Sequence, residues 1–246
     1  MPPARSGWAK PTARTLAARA VYELGTLVGM VPALAMPIAG WRSQGVPLGR
    51  STELVIEGYP RSANTLMVET IARAQPRPVA IAHHVHVPAH VLEAVHRALP
   101  TLVLIRDPEA AAVELALAKP AITVAQALRG WLRFYGPLRA HRSSFVVATD
   151  EEVHEDPAAP IRRLNERFGT AFALPTEDTR EGAARDIAER GYAGVGRGVP
   201  LIGHTSPTDQ DLGAERDRLR ERFRSPGLAR LRRRAELLHR AFIPLG

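Results

Sequence analysis

The chain has 246 residues, 45% of them hydrophobic, enough to bury the core of one large domain and too many for a disordered chain. A formal charge of +8, carried almost wholly by arginine, favours anionic partners such as phosphates and acidic lipids. The absence of cysteine excludes disulfides, thiolate metal sites and cysteine nucleophiles, and fits a reducing, cytoplasmic compartment.

Residues 1–50 form a segment of their own. A basic start (Arg5, Lys10, Arg14, Arg19) runs into the uncharged stretch LGTLVGMVPALAMPIAGW, residues 24–41. Its 18 residues reach the lower limit for a membrane span, but Pro32 and Pro37 break a helix and three glycines lower the hydrophobicity. Three readings stay open: a helix and loop packed on the domain, a peripheral membrane contact through residues 16–41, or a span.

From residue 51 to 246 a second unit alternates short β-rich runs with helical patterns. That alternation predicts a three-layer α/β fold, a central parallel sheet flanked by helices. Strands are expected at 54–57, 79–82, 102–105 and 145–148, and helices at 65–74, 89–98, 108–118 and 123–135. Asp107 before Pro108 marks a capped helix start, and Asp156 before Pro157 repeats the device ahead of IRRLNERFG. Gly169 reads as that helix's stop. Residues 170–205 lack a clear period and are expected as an ordered loop or lid. A charged helix opening at Ser206 and Pro207, then an arginine-rich helix over 226–242, close the chain.

The stretch GYPRSANT, residues 58–65, follows the first apolar strand and has the spacing of a phosphate-binding loop. Ala63 and Asn64 stand where such a loop carries glycine and lysine. Without the lysine, ATP or GTP hydrolysis is disfavoured. Arg61 supplies a cation with fixed, bidentate donors, suited to a phosphosulfate that needs no metal. Ser62, Asn64 and Thr65 fit either anion binding or helix capping.

In this respect GYPRSANT resembles the 5′-phosphosulfate loop of sulfotransferases that use 3′-phosphoadenosine 5′-phosphosulfate (PAPS). LVLIRDPEAAAVELAL, residues 102–117, is similar to that family's segment for the 3′-phosphate, in which an arginine ends a strand and Asp-Pro starts a helix. FVVATDEEVHEDPAAPIRRLNERFG, residues 145–169, resembles its later strand, acidic turn and helix. The likeness covers roughly residues 52–170, and its implications carry over position by position. A P-loop-like loop of Arg61, Ser62, Ala63, Asn64 and Thr65 would hold the donor's 5′ side, and Arg106 its 3′-phosphate. Sulfuryl transfer from PAPS to a hydroxyl or amine would leave the 3′,5′-bisphosphate as product, without a metal. The acceptor would be a small molecule, lipid or glycan.

The family's histidine base falls at HHVHVP, residues 83–88. His86 aligns with the base and His84 with a lysine two residues earlier. An imidazole suits removal of a hydroxyl proton near neutral pH. A structural role, or a two-histidine metal site serving a phosphate-ester hydrolase through His83, His84 and His86, is the alternative. Two positions depart from the family. Glu114 replaces the serine expected eight residues after Arg106, where two like charges about 5 Å apart would repel by about 3 kcal/mol unless a cation intervened. The carboxyl-end phosphate grip is also missing, with Arg197 as the candidate substitute. A sulfotransferase-like nucleotide-binding protein without turnover is the alternative, which Glu114 would explain.

Smaller features have plainer readings. Glu57 is a second base near the loop or a solvated strand-end acid. Trp131, Phe134 and Tyr135 at helical spacing are expected in the core. RLRRR, residues 230–234, has no interleaved aromatics and is a solvated helix face balanced by Glu221 and Glu236, not a nucleic-acid surface.

Overall fold

Four strands form one parallel sheet in the order β2-β1-β3-β4: β1 Leu54–Gly58, β2 Ile81–His83, β3 Thr101–Ile105 and β4 Val146–Thr149. This computed structural model describes residues 11–31, 33–35, 45–189 and 209–243, without the side chains of 209–211. Helices among them are α1 Ala13–Val28, α2 Asn64–Ala74, α3 Pro88–His96, α4 Pro108–Ala118, α5 Val124–Leu138, α6 Asp150–Glu155, α7 Ala158–Phe168, α8 Glu177–Glu189, α9 Asp209–Arg224 and α10 Ala229–Phe242.

Strand alternation sorts the core into two layers. Leu54, Ile56, Leu102, Leu104, Val146 and Ala148 face α2 and α7, where Met67, Ile71, Ile161 and Leu164 meet them. Val103, Ile105 and Val147 face the other way, toward α3, α4, α5, α9 and α10. Trp131, Phe134 and Tyr135 are buried in that second layer, as their spacing predicts. Burial of each such side chain stabilises the fold by about 1.5 to 3 kcal/mol.

The strand order fixes where a ligand would lie. The chain leaves β1 for α2 on one face, and leaves β3 for α4 on the opposite face, although β1 and β3 are neighbours. Their carboxyl ends therefore flank a topological switch point, the crevice in which open α/β sheets bind ligands.

Local signals explain several boundaries. Asp107 Oδ1 accepts from the Ala110 N–H at 2.9 Å, and α4 spans the expected 108–118. Asp156 Oδ1 accepts from the Ala158 and Ala159 N–H groups. Gly169 takes the left-handed conformation that ends α7. Three expectations change. β2 begins two residues late, at Ile81, because it pairs only through residues 81–83. The stretch expected as loop or lid contains α8, and the rest of it, with the expected helix start at Ser206 and Pro207, lies outside the described residues. Arg232 donates to the Phe223 and Ser225 carbonyls, so part of the arginine run caps the end of α9.

Candidate functional site

At Gly58, β1 crosses close to β3: a Cβ there would sit 2.6 Å from the Leu104 carbonyl oxygen, so only glycine fits. The loop that follows is anchored by Tyr59. Its buried hydroxyl donates to the Ala127 carbonyl at 2.7 Å, and its N–H donates to the Tyr135 hydroxyl at 3.1 Å. Tyr135 in turn donates to the Leu104 carbonyl at 2.7 Å, tying the loop to β3. Ala63, where phosphate-binding loops carry glycine, is left-handed with φ 58°, and Arg61 has φ 74°. A non-glycine residue pays roughly 1 to 2 kcal/mol in that region. Helix α2 starts directly at Asn64, whose Nδ2 donates to the Tyr59 carbonyl.

Two buried atoms of this loop lack a hydrogen bond of normal geometry, Ser62 Oγ and Asn64 Oδ1, although Ser62 lies beside the Tyr135 hydroxyl. Buried polar atoms are ordinarily bonded, so these two mark the loop as a place where a ligand or solvent completes the set.

The histidines cluster at the end of β2, beside β1. His86 Nδ1 is 2.7 Å from the Gly58 carbonyl oxygen. A carbonyl only accepts, so Nδ1 carries the proton in the neutral ring and Nε2 keeps its lone pair, with no hydrogen bond to a described residue. Both nitrogens of His84 are engaged instead, Nδ1 with His83 Nδ1 at 2.7 Å and Nε2 with the Thr65 hydroxyl at 3.0 Å. Burial, reinforced by the neighbouring His86 and His83, pushes His84 down to about 4, so at neutral pH it cannot replace a lysine's charge. Burial likewise lowers His83.

Beneath them lies Glu57, and it is neither solvated nor placed as a second base. It is fully buried. Its carboxylate accepts from the Val85 N–H at 2.7 Å, the His86 N–H at 3.1 Å and His90 Nδ1 at 3.0 Å. His90 Nε2 accepts the Leu48 N–H at 3.0 Å, which leaves Nδ1 protonated as the donor to Glu57. Burial by itself would raise the Glu57 pKa, but the His90 bond, the His86 ring and the Val85 N–H outweigh it and hold the group below its usual range. Glu57 Oε2 lies 3.9 Å from His86 Nδ1. Among the described residues, four of the five non-glycine positions with positive φ are Arg61, Ala63, His84 and His86. Strain of that kind gathers at functional sites.

Across the crevice Arg106 Nη1 donates to the Arg61 carbonyl at 3.0 Å, which brings the two arginines together. Arg106 Nε also pairs with Asp150 Oδ2 at 3.2 Å, at the end of β4. Burial raises the Asp150 pKa more than Arg106 lowers it. Glu114 pairs at 2.7 Å with Arg216 of α9. Its charge is thus met by a cation that sequence spacing did not single out. Arg197 lies outside the described residues.

Comparison with known protein families, curated proteins and solved structures found no match for this chain. The site's reading therefore rests on its own geometry. Among the described residues no group of three or more histidine, aspartate or glutamate side chains is arranged to hold a metal ion. Glu57, His90, Asp150 and Arg216 are the residues sequence reasoning missed or misjudged. A buried acid at a strand end gives one usable signal, an acid inside an otherwise apolar run, here ELVIEG.

Proposed function

We propose that this chain is a PAPS-dependent sulfotransferase, with the loop 58–65 as its P-loop-like donor site and His86 as its base. The observation that carries the reading is the His86 ring, whose proton is held on the Gly58 carbonyl so that Nε2 is open at the same sheet edge as Arg61 and Arg106. The loop fits an anion: left-handed Arg61 and Ala63 flank Ser62, backbone of the kind that gathers N–H groups, and α2 begins there with its positive dipole end.

In the reaction the acceptor oxygen forms a bond to sulfur as the bond from sulfur to the donor phosphate breaks, and that electron pair leaves on the bisphosphate. His86 Nε2 takes the acceptor's proton. Glu57, 3.9 Å from Nδ1, stabilises the imidazolium this creates, and its bonds to the Val85 and His86 N–H groups hold the strained turn that aims the ring. Arg61 meets the negative charge that collects on the leaving 5′ phosphate, and Arg106 holds the 3′-phosphate.

Calorimetry with adenosine 3′,5′-bisphosphate and adenosine 5′-monophosphate tests the donor site without an acceptor. The bisphosphate is expected to bind more tightly by roughly tenfold, about 1.4 kcal/mol. Absence of binding by either nucleotide would remove the reading. Bisphosphate release from PAPS in the presence of hydroxyl acceptors then separates an enzyme from a binding protein without turnover.

A further inference from the structure

Helix α1 docks through polar groups and turns its aliphatic side outward, the reverse of an ordinary surface helix. Glu23 accepts from Arg129 Nη2 at 2.6 Å and from Arg133, both on α5. Arg19 Nε donates to the Ala121 carbonyl at 2.9 Å. The Tyr22 hydroxyl lies 2.8 Å from that of Tyr59, and because Tyr59 gives its proton to Ala127, Tyr22 is the donor. Gly130 makes this docking feasible, since a Cβ there would fall 2.1 Å from the Tyr22 oxygen.

Among the described residues nothing covers the opposite side. Of the ten large hydrophobic side chains exposed among the described residues, six fall in this stretch: Leu16, Val21, Leu24, Leu27, Val31 and Leu34. Leu24 is 63% exposed. Exposed hydrophobics scattered singly are ordinary, but a contiguous set marks an interaction surface. At 3.6 residues per turn, Ala13, Leu16, Ala17, Ala20, Val21, Leu24 and Leu27 share an arc of about 140° that contains no charged side chain, with Arg14 at one border and Glu23, paired with Arg129 and Arg133, at the other.

We propose that this face of α1 docks on an anionic lipid bilayer, lying in the plane of the interface with its leucines among the acyl chains and Arg14 at the phosphates. Charge selects this occupant. The chain carries +8, which an anionic surface attracts and which a second copy would repel. A paired helix would also need a narrower seam flanked by charges. Among the described residues no helix is long and apolar enough to cross a membrane, so α1 rests on the surface.

The same helix is fastened to the candidate site. Tyr22 holds Tyr59 of the loop, and the Gly29 carbonyl accepts from the Ala89 N–H at 3.1 Å, three residues beyond His86. Lipid contact and site therefore belong to one packed frame. If the sulfotransferase reading holds, the acceptor class that follows is an amphiphilic alcohol presented at the bilayer surface. That acceptor rests on the reading; the lipid contact does not.

The test is flotation of the full chain with vesicles of phosphatidylcholine alone, or of equal parts phosphatidylcholine and phosphatidylglycerol. The protein is expected to float with the mixed vesicles and to bind the neutral ones roughly tenfold more weakly. Leu24→Asp with Leu27→Asp is expected to abolish flotation while circular dichroism stays unchanged. Leu24→Ser with Leu27→Ser replaces it if the aspartates unfold the chain. The proposal is overturned if the unaltered protein stays unbound, if the folded variant floats as well, or if sedimentation velocity shows a dimer that the same variant dissolves. Flotation without bisphosphate binding would sink the acceptor class and leave the lipid contact standing.

Discussion

The two sides of the switch point carry similar residue types and treat them differently. On the β1 side, the loop from Gly58 to Asn64 buries two polar atoms without a hydrogen bond of normal geometry, holds two residues left-handed, and faces a histidine whose Nε2 bonds to no described residue. On the β3 side every charge discussed has met its opposite within the chain, Arg106 with Asp150 and Glu114 with Arg216. Strain and incompletely bonded buried groups of this kind gather at functional sites. A side with closed ion pairs can bind an anion only by exchanging partners.

Replacing His86 should have the largest effect if this contrast reflects chemistry. His86→Ala is expected to lower the rate of sulfuryl transfer by about a hundredfold to ten-thousandfold, the range for a general base, while leaving bisphosphate affinity unchanged. A rate within threefold of the unaltered protein's would take the base away from the β1 side.

Glu57→Gln comes next, with an expected cost of about 2 to 3 kcal/mol in thermal unfolding near pH 7, because an amide donor would face a backbone N–H. The folded pKa of Glu57 lies below its ordinary 4.5, so its contribution is present above pH 4.5 and is lost as pH falls through the folded value. The gap between variant and parent should therefore close on acidification. A gap independent of pH would mean that the carboxylate's charge does not matter.

Arg61→Ala is expected to weaken bisphosphate binding by about 1.5 to 3 kcal/mol in calorimetry while the chain stays folded. Equal affinity would remove the arginine from the donor site. The smallest effect belongs to the other side. Asp150 has a raised folded pKa, so what it adds to stability is present below its unfolded value of 3.8 and lost as pH rises through the folded one. Asp150→Asn, which mimics the protonated form, should then raise stability slightly near pH 7, a gain that disappears in acid. Opposite signs for Glu57 and Asp150 sharpen the contrast; matching signs would break it.

What could be read ahead of the coordinates followed from local causes. The apolar run before Gly58, the Asp-Pro start of α4 and the Gly169 stop act within a few residues, and they appear where expected. Glu57 did not yield to the same reasoning because its three donors come from Val85, His86 and His90, which only the parallel pairing of β1 with β2 brings near. Arg216 is 102 residues from Glu114. Helix α8 escaped notice because EDTREGAARDIAE has no apolar stripe. It buries only Gly182 and Ala183, and joins α2 through the ion pair of Arg73 with Asp186.

Tyr135 sets the spacing between the two halves, since its one oxygen receives the Tyr59 N–H and reaches the Leu104 carbonyl. Burial keeps this phenol, and that of Tyr59, protonated far beyond neutral pH. The strut between the halves is consequently blind to acidity, whereas Glu57 and Asp150 are not. Titrating the site therefore changes which charges it holds without loosening the tie between loop and strand.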